Sequence, residues 1–120
     1  MRKSNTTIIA GVGMVAFGKP GASDNYDVMG ESAIREALAD SGLEFTHIKQ
    51  AYAGYVYGDS TCGQKVIYKV GMTGIPVFNV NNNCSTGSSA LFMARQAVES
   101  GLVDCALAVG FEQMQPGALG

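Results

Sequence analysis

Four short runs of β-branched and apolar residues alternate with three longer stretches whose apolar residues recur at helical spacing, and glycine closes several of these units. That pattern leaves few folds open. Strand–helix alternation gives a layered α/β structure with a mostly parallel sheet, because each helix carries the chain back to begin the next strand. Residues 6–13 read as a first, buried strand. A helix follows, opened by Asp24 or Asp27 and running to Ser41, with Ala33, Ile34, Ala37 and Leu38 as its apolar stripe. Gly42 stands where a left-handed residue ends a helix at little cost. Residues 51–57 read as the second strand, 64–70 as a short helix and 75–80 as the third strand. Residues 84–100 form the second long helix, with Leu91, Ala94 and Val98 buried, and 102–109 the fourth strand. Residues 110–120 read as an open tail. The predicted order is strand-helix-strand-helix-strand-helix-strand. No helix remains to cover the next face, so the sheet reads as incomplete and the chain as part of a larger protein, or one that needs a partner.

With 120 residues, 47% of them hydrophobic, the chain supports one domain with a real core, residues 1–120. Ten acidic and eight basic residues leave a net charge of -2. That balance gives no footprint for nucleic acid and no basic run suited to an anionic membrane. No apolar stretch approaches the ~18 residues of a membrane span. Met1-Arg2-Lys3-Ser4-Asn5 is basic, but the apolar patch after it is too short for a secretory signal. Three cysteines form neither a disulfide framework nor a zinc site, and a reducing, intracellular compartment with free thiols is the simpler reading.

Two glycine strings mimic nucleotide sites. Gly11-Val12-Gly13-Met14-Val15-Ala16 fits a dinucleotide fingerprint, but Phe17-Gly18-Lys19-Pro20-Gly21 breaks the helix that fingerprint must open. Residues 13–19 match most of a phosphate-binding loop, yet Pro20 stands where a hydroxyl must ligate magnesium. Both strings read as turns.

The informative segment is Asn79-Val80-Asn81-Asn82-Asn83-Cys84-Ser85-Thr86-Gly87-Ser88-Ser89-Ala90. A strand ends in an asparagine run and a helix begins at the cysteine. Thiols at helix N-termini meet unpaired N–H groups and the positive end of the dipole, which favours the thiolate. The carboxyl end of a strand is where α/β sheets place their active sites. The backbone amides there can also hold a developing oxyanion. Read from the residues alone, Cys84 is either a nucleophile or a buried structural thiol. Cys105 alternates with Val103, Leu107 and Val109 and reads as core. Cys62 lies in a turn, exposed or at an interface. His47, the single histidine, reads as solvated or capping. Nothing ties it to Cys84, so a catalytic Cys84 takes its base from outside the chain.

Residues 79–90, followed by Ala94-Arg95-Gln96 and Gly101-Leu102-Val103-Asp104, resemble the nucleophile region of thiolases. Ala108-Val109-Gly110-Phe111-Glu112-Gln113-Met114 resembles the next thiolase stretch, with one glycine of its usual pair replaced by Phe111. The wording of residues 54–64 and 71–76 is similar to the sterol carrier protein X type of thiolase, the lipid-transfer-type branch. The resemblance covers essentially the whole chain. It implies a thiolase-like N-terminal half-domain of a 3-oxoacyl-CoA thiolase in lipid degradation, an acetyl-CoA or propanoyl-CoA C-acyltransferase. Cys84 would be the nucleophile, with its N–H in the oxyanion hole. Coenzyme A would be a co-substrate, with no permanently bound cofactor and no metal. It further implies a homodimer through strand 75–81, and a peroxisomal setting in a eukaryote or a cytoplasmic one in a bacterium.

Thiolases are several times longer than this chain, and their activating histidine, second catalytic cysteine and most coenzyme A contacts lie in later segments. Neither Cys62 nor Cys105 stands in the second cysteine's glycine-rich context. Isolated, these residues are therefore expected to be inactive. The alternative is a catalytically incomplete fragment that serves only as a dimerisation or partner-binding module.

Overall fold

The computed structural model describes residues 6–118, so the basic start at residues 1–5 lies outside it. Three helices, a 3-10 turn and three strands follow in the order α1 (Tyr26–Ser41), the 3-10 turn Phe45–His47, β1 (Gln50–Gly54), α2 (Cys62–Tyr68), β2 (Val77–Val80), α3 (Thr86–Glu99) and β3 (Ala106–Gly110). The strands form one parallel sheet in the order β2-β1-β3, with Ala51 opposite both Val77 and Leu107. The expected α/β architecture and parallel pairing are therefore present. Among the described residues, no helix is long and apolar enough to cross a membrane.

Side-chain alternation along β1 and β3 divides the core into two layers. Ala51, Ala53, Leu107 and Val109 face α1 and α2, where they meet Ile34, Phe45, Ile48, Val66 and Ile67. Tyr52, Ala106 and Ala108 face α3, where they meet Ala90, Ala94 and Ala97. Small residues on both sides let α3 lie close to the sheet. Ile34, Val66 and Ile67 are the largest fully buried side chains, each worth about 1.5–3 kcal/mol of burial.

Several expected elements shift. Residues 6–13 are not a strand of the sheet. They run outside it along α1, where Val12 N–H donates to Asp40 Oδ2 at 2.8 Å. Gly11 and Gly13 serve that approach, since a Cβ on either would collide with the backbone of α1 at Ala37 and Ala33. The glycine string is thus explained by helix contact. Ile8, Ile9, Val12, Met14 and Phe17 remain exposed. The second strand ends at Gly54 rather than residue 57, and the fourth begins at Ala106 rather than 102. Gly42 closes α1 as expected, with φ 72 and its N–H on Leu38 O. Asp27 does not cap α1. It is buried and pairs with Lys69 Nζ at 3.4 Å, tying α1 to α2. Burial pushes its carboxyl up, but the Lys69 bond and charge, its own backbone N–H and Lys65 outweigh this and hold it below the usual value.

Of the expected open tail, residues 119–120 lie outside the described residues, and residues 111–113 are not open. Phe111 stacks between Tyr26 and Tyr55, with centroids 5.4 and 5.3 Å away. The Glu112 carboxylate accepts the N–H groups of Val56 and Tyr57, both at 3.0 Å. Gln113 Oε1 accepts the Tyr26 N–H at 2.8 Å, supplying α1 with the cap its own Asn25 side chain does not give. Three consecutive residues thus latch β3 to the exit of β1 and the start of α1.

Candidate active site

β2 ends at Val80, and the chain then turns through Asn81, Asn82 and Asn83 to reach α3 at Thr86. Cys84 lies in this turn, two residues before the helix, and not inside it as the sequence pattern predicts. Asn83 takes φ 51, a left-handed conformation asparagine tolerates better than most side chains. Cys84 is exposed, and its Sγ lies 4.0 Å from Asn83 Oδ1. The structural-thiol reading therefore does not apply to it.

The turn is closed by its own polar groups. Thr86, 5% exposed, donates its hydroxyl to Asn83 O at 2.6 Å and accepts the Asn82 N–H at 2.8 Å. Its N–H reaches Asn83 O at 3.2 Å. Ser85 Oγ and N–H both reach Asn82 O, at 2.8 and 3.1 Å. Asn83 N–H donates to Asn81 Oδ1 at 3.0 Å, and Asn82 Nδ2 to Ser89 Oγ at 2.9 Å. The amide N–H groups of Asn82, Asn83, Ser85 and Thr86 thus each have an acceptor. Asn82 and Cys84 are in addition paired in an isolated β-bridge.

Three glycines let the strand ends approach this turn. A Cβ on Gly54 would sit 2.6 Å from Thr86 Cγ2, and one on Gly110 3.2 Å from Gly87 Cα. The carboxyl ends of β1 and β3 therefore press against the first turn of α3, the end of the sheet where ligands bind in this architecture.

The other sequence candidates lie elsewhere. Cys62 is buried at the start of α2, its Sγ bonded to Asp59 O at 3.0 Å and its N–H to Tyr55 Oη at 3.3 Å. The Cys62 thiol beside it, with burial and the charges of Asp27 and Asp59, raises the Tyr26 phenol well above its ordinary value; burial chiefly raises that of Tyr55. The exposed reading of Cys62 is thereby excluded. Cys105 precedes β3 instead of lying within it. It is half-buried against the core, and burial, then Asp104, raises its thiol pKa, with Lys49 opposing. His47 is a capping residue, its Nδ1 accepting the Glu44 N–H at 3.1 Å. Among the described residues, no group of three His, Cys, Asp or Glu could hold a metal ion. A groove of about 430 Å³ runs between residues 13–20, α1 and residues 110–114, and Cys84 does not line it. Thr86 and the latch are the parts sequence reasoning missed. Thr86 followed by Gly87, two residues after the cysteine, was the available signal for the first.

The thiolase N-terminal domain family model matches residues 7–117. Sterol carrier protein 2 of Homo sapiens is 56% identical over 115 residues, covering 93% of this chain and 21% of that protein. Non-specific lipid-transfer protein-like 2 of Caenorhabditis elegans is 49% identical over 113 residues, 92% of this chain and 27% of that one. The benzoylsuccinyl-CoA thiolase subunit BbsB of Thauera aromatica is 36% identical over 114 residues, 93% and 29%. The chain thus spans between a fifth and a third of the length of these relatives. Among solved structures, the priming β-ketosynthase of the R1128 polyketide pathway shares the fold, with TM-score 0.75 over 95% of this chain and 44% of that one at 19% identity. With the match to the N-terminal domain model spanning nearly all the described residues, and the turn at Cys84 at the carboxyl end of a parallel sheet, the chain belongs to the thiolase family.

Proposed function

We propose that this domain supplies the nucleophile of a 3-oxoacyl-CoA thiolase, and that Cys84 carries the acyl group. The observation that carries the reading is an exposed thiol in the turn between the carboxyl end of β2 and the first turn of α3. The Cys84 thiolate attacks the 3-keto carbon, and its oxygen takes up the negative charge beside the Cys84 backbone N–H. The carbonyl re-forms as the bond between the second and third carbons breaks. Its electron pair leaves as the enolate of acetyl-CoA or propanoyl-CoA and takes a proton from a group outside these residues. The thioester left on Cys84 then passes to the thiol of free coenzyme A, restoring the cysteine. Dividing the reaction at a covalent thioester replaces one hard step with two easier ones.

Coenzyme A is a co-substrate here and not a resident cofactor. The outer edge of β2 belongs to the same proposal. Its backbone groups face away from β1, and pairing of residues 75–81 with a second copy would satisfy them. The setting follows the host, peroxisomal in a eukaryote and cytoplasmic in a bacterium. The exposed Ile8, Ile9, Val12 and Phe17 favour the second reading, in which these residues alone bind a partner without catalysis.

The test uses the full-length protein and 3-oxooctanoyl-CoA. The expected outcome is a hexanoyl adduct on the Cys84 peptide that disappears on adding coenzyme A. Cys84→Ala should remove both adduct and turnover. An adduct elsewhere, or turnover by the variant within tenfold of the parent, would overturn the assignment.

A further inference from the structure

Thr86 is not a residue type that announces a role, yet it is among the few buried polar side chains, and it holds the Asn81–Asn82 peptide by its N–H and the Asn83–Cys84 peptide by its carbonyl. A trans peptide is planar, with its C=O and N–H pointing in opposite directions. The carbonyl of Asn83 and the N–H of Cys84 belong to one such plane. Both the hydroxyl and the N–H of Thr86 hold that carbonyl, at 2.6 and 3.2 Å, and Thr86 is buried. The N–H of Cys84, on the opposite side of that plane, is therefore directed away from the groups of Thr86 that hold the carbonyl. Without the hydroxyl, the left-handed Asn83 has one fewer restraint, and the plane can rotate the N–H off the position where the oxyanion forms.

We infer that Thr86 is a positioning residue that fixes the Cys84 N–H as the oxyanion donor, without touching the substrate itself. The inference rests on the acyl-transfer reading given above. Its methyl group adds to the same restraint. It packs against Gly54, where any side chain would intrude, so the end of β1 backs the hydroxyl from behind. The hydroxyl's single proton is committed to Asn83 O, and its lone pairs face the Asn82 N–H. Valine preserves the shape and neither bond. Serine preserves both bonds and lacks the methyl.

Two rates on the full-length protein separate positioning from general damage. Alkylation of Cys84 by iodoacetamide needs an accessible thiolate and no oxyanion donor. Acylation by 3-oxooctanoyl-CoA in a single turnover needs both. Thr86→Val should slow acylation about 10- to 100-fold and lower kcat alike, with KM and the pH-independent alkylation rate changed less than about threefold. Thr86→Ser should stay within about threefold of the parent in both rates. Equal acylation by the Val and Ser variants would overturn the inference, as would a parallel fall in alkylation and acylation. If Thr86→Val does not fold, Thr86→Ser against Thr86→Ala differs by the hydroxyl alone, and an acylation ratio near one overturns it equally. A parent protein that takes no acyl group on Cys84 fails the function reading and this inference together. An acylated parent matched by Thr86→Val fails only the inference.

Discussion

Gly54 is the residue that decides how near the sheet comes to the turn that holds Cys84. Its missing side chain leaves room for Thr86, whose Cγ2 and carbonyl would each lie 2.6 Å from an added Cβ. Backbone on one side and a buried β-branched residue on the other give no easy relief. Gly54→Ala should destabilise the protein by about 1–3 kcal/mol in urea denaturation and slow acylation of Cys84 in the full-length protein. Unchanged stability would mean that β1 and α3 part without cost. At this scale the sequence marks Cys84 as a candidate, because an asparagine run precedes a helix start of small residues. It does not show Thr86, since one threonine among Ser85, Ser88 and Ser89 carries no mark until the turn has closed around it.

Elements are joined here by polar side chains as much as by apolar contact. Glu112 accepts two consecutive backbone N–H groups 55 and 56 residues away. Hydrogen bonds to a charged group contribute about 1.5–3 kcal/mol when buried, less at the exposed Tyr57. Glu112→Ala should cost about 2 kcal/mol and speed amide exchange at Val56 and Tyr57. Glu112→Gln, with one acceptor oxygen, should fall between. The Asp27–Lys69 pair makes a pH-dependent link between α1 and α2. Because the folded-state carboxyl is held below its ordinary value, the link is fully present above the unfolded pKa of about 3.9 and lost as pH falls through the lower folded value. The stability gap between the parent and Asp27→Asn should therefore narrow as pH drops from about 5 toward 2. A constant gap in urea midpoints would mean the pair contributes no titrating stability. Periodicity located all three helices because it is local. It set the ends of β1 and β3 wrongly because strand length depends on where a neighbour stops pairing. It missed the latch because Phe111, Glu112 and Gln113 have no periodic pattern, only distant partners.

Taken whole, the described fold covers less of itself than its size predicts. A monomer of 12.5 kDa exposes about 6,200 Å² by the usual scaling, whereas this chain exposes 7605 Å² over an elongated 50 × 28 × 23 Å form. Part of the excess is the apolar run from Ile8 to Phe17, whose first part, up to residue 13, the sequence pattern assigns to a buried strand and the structure leaves exposed. The isolated 120-residue chain should accordingly self-associate in sedimentation at micromolar concentration and bind a hydrophobic dye, and the full-length protein should bind far less dye per molecule. A monomeric chain that binds no dye would show that the run folds back in solution.

The sheet order also sets a timetable for synthesis. β1 sits at the centre but comes first, and its second neighbour, β3, is complete only at Gly110, roughly 56 residues later. At about 5–20 residues per second, a ribosome leaves one edge of the central strand unpaired for roughly 3–11 s. From the completion of β2 at Val80 to that of β3, Ala51, Ala53 and Tyr52 are held by β2 alone, and the Cys84 turn has its sequence but not its backing from Gly110. Nascent chains stalled before and after residue 110 should thus differ sharply in protease resistance, with Cys84 acquiring its ordered setting only in the longer one.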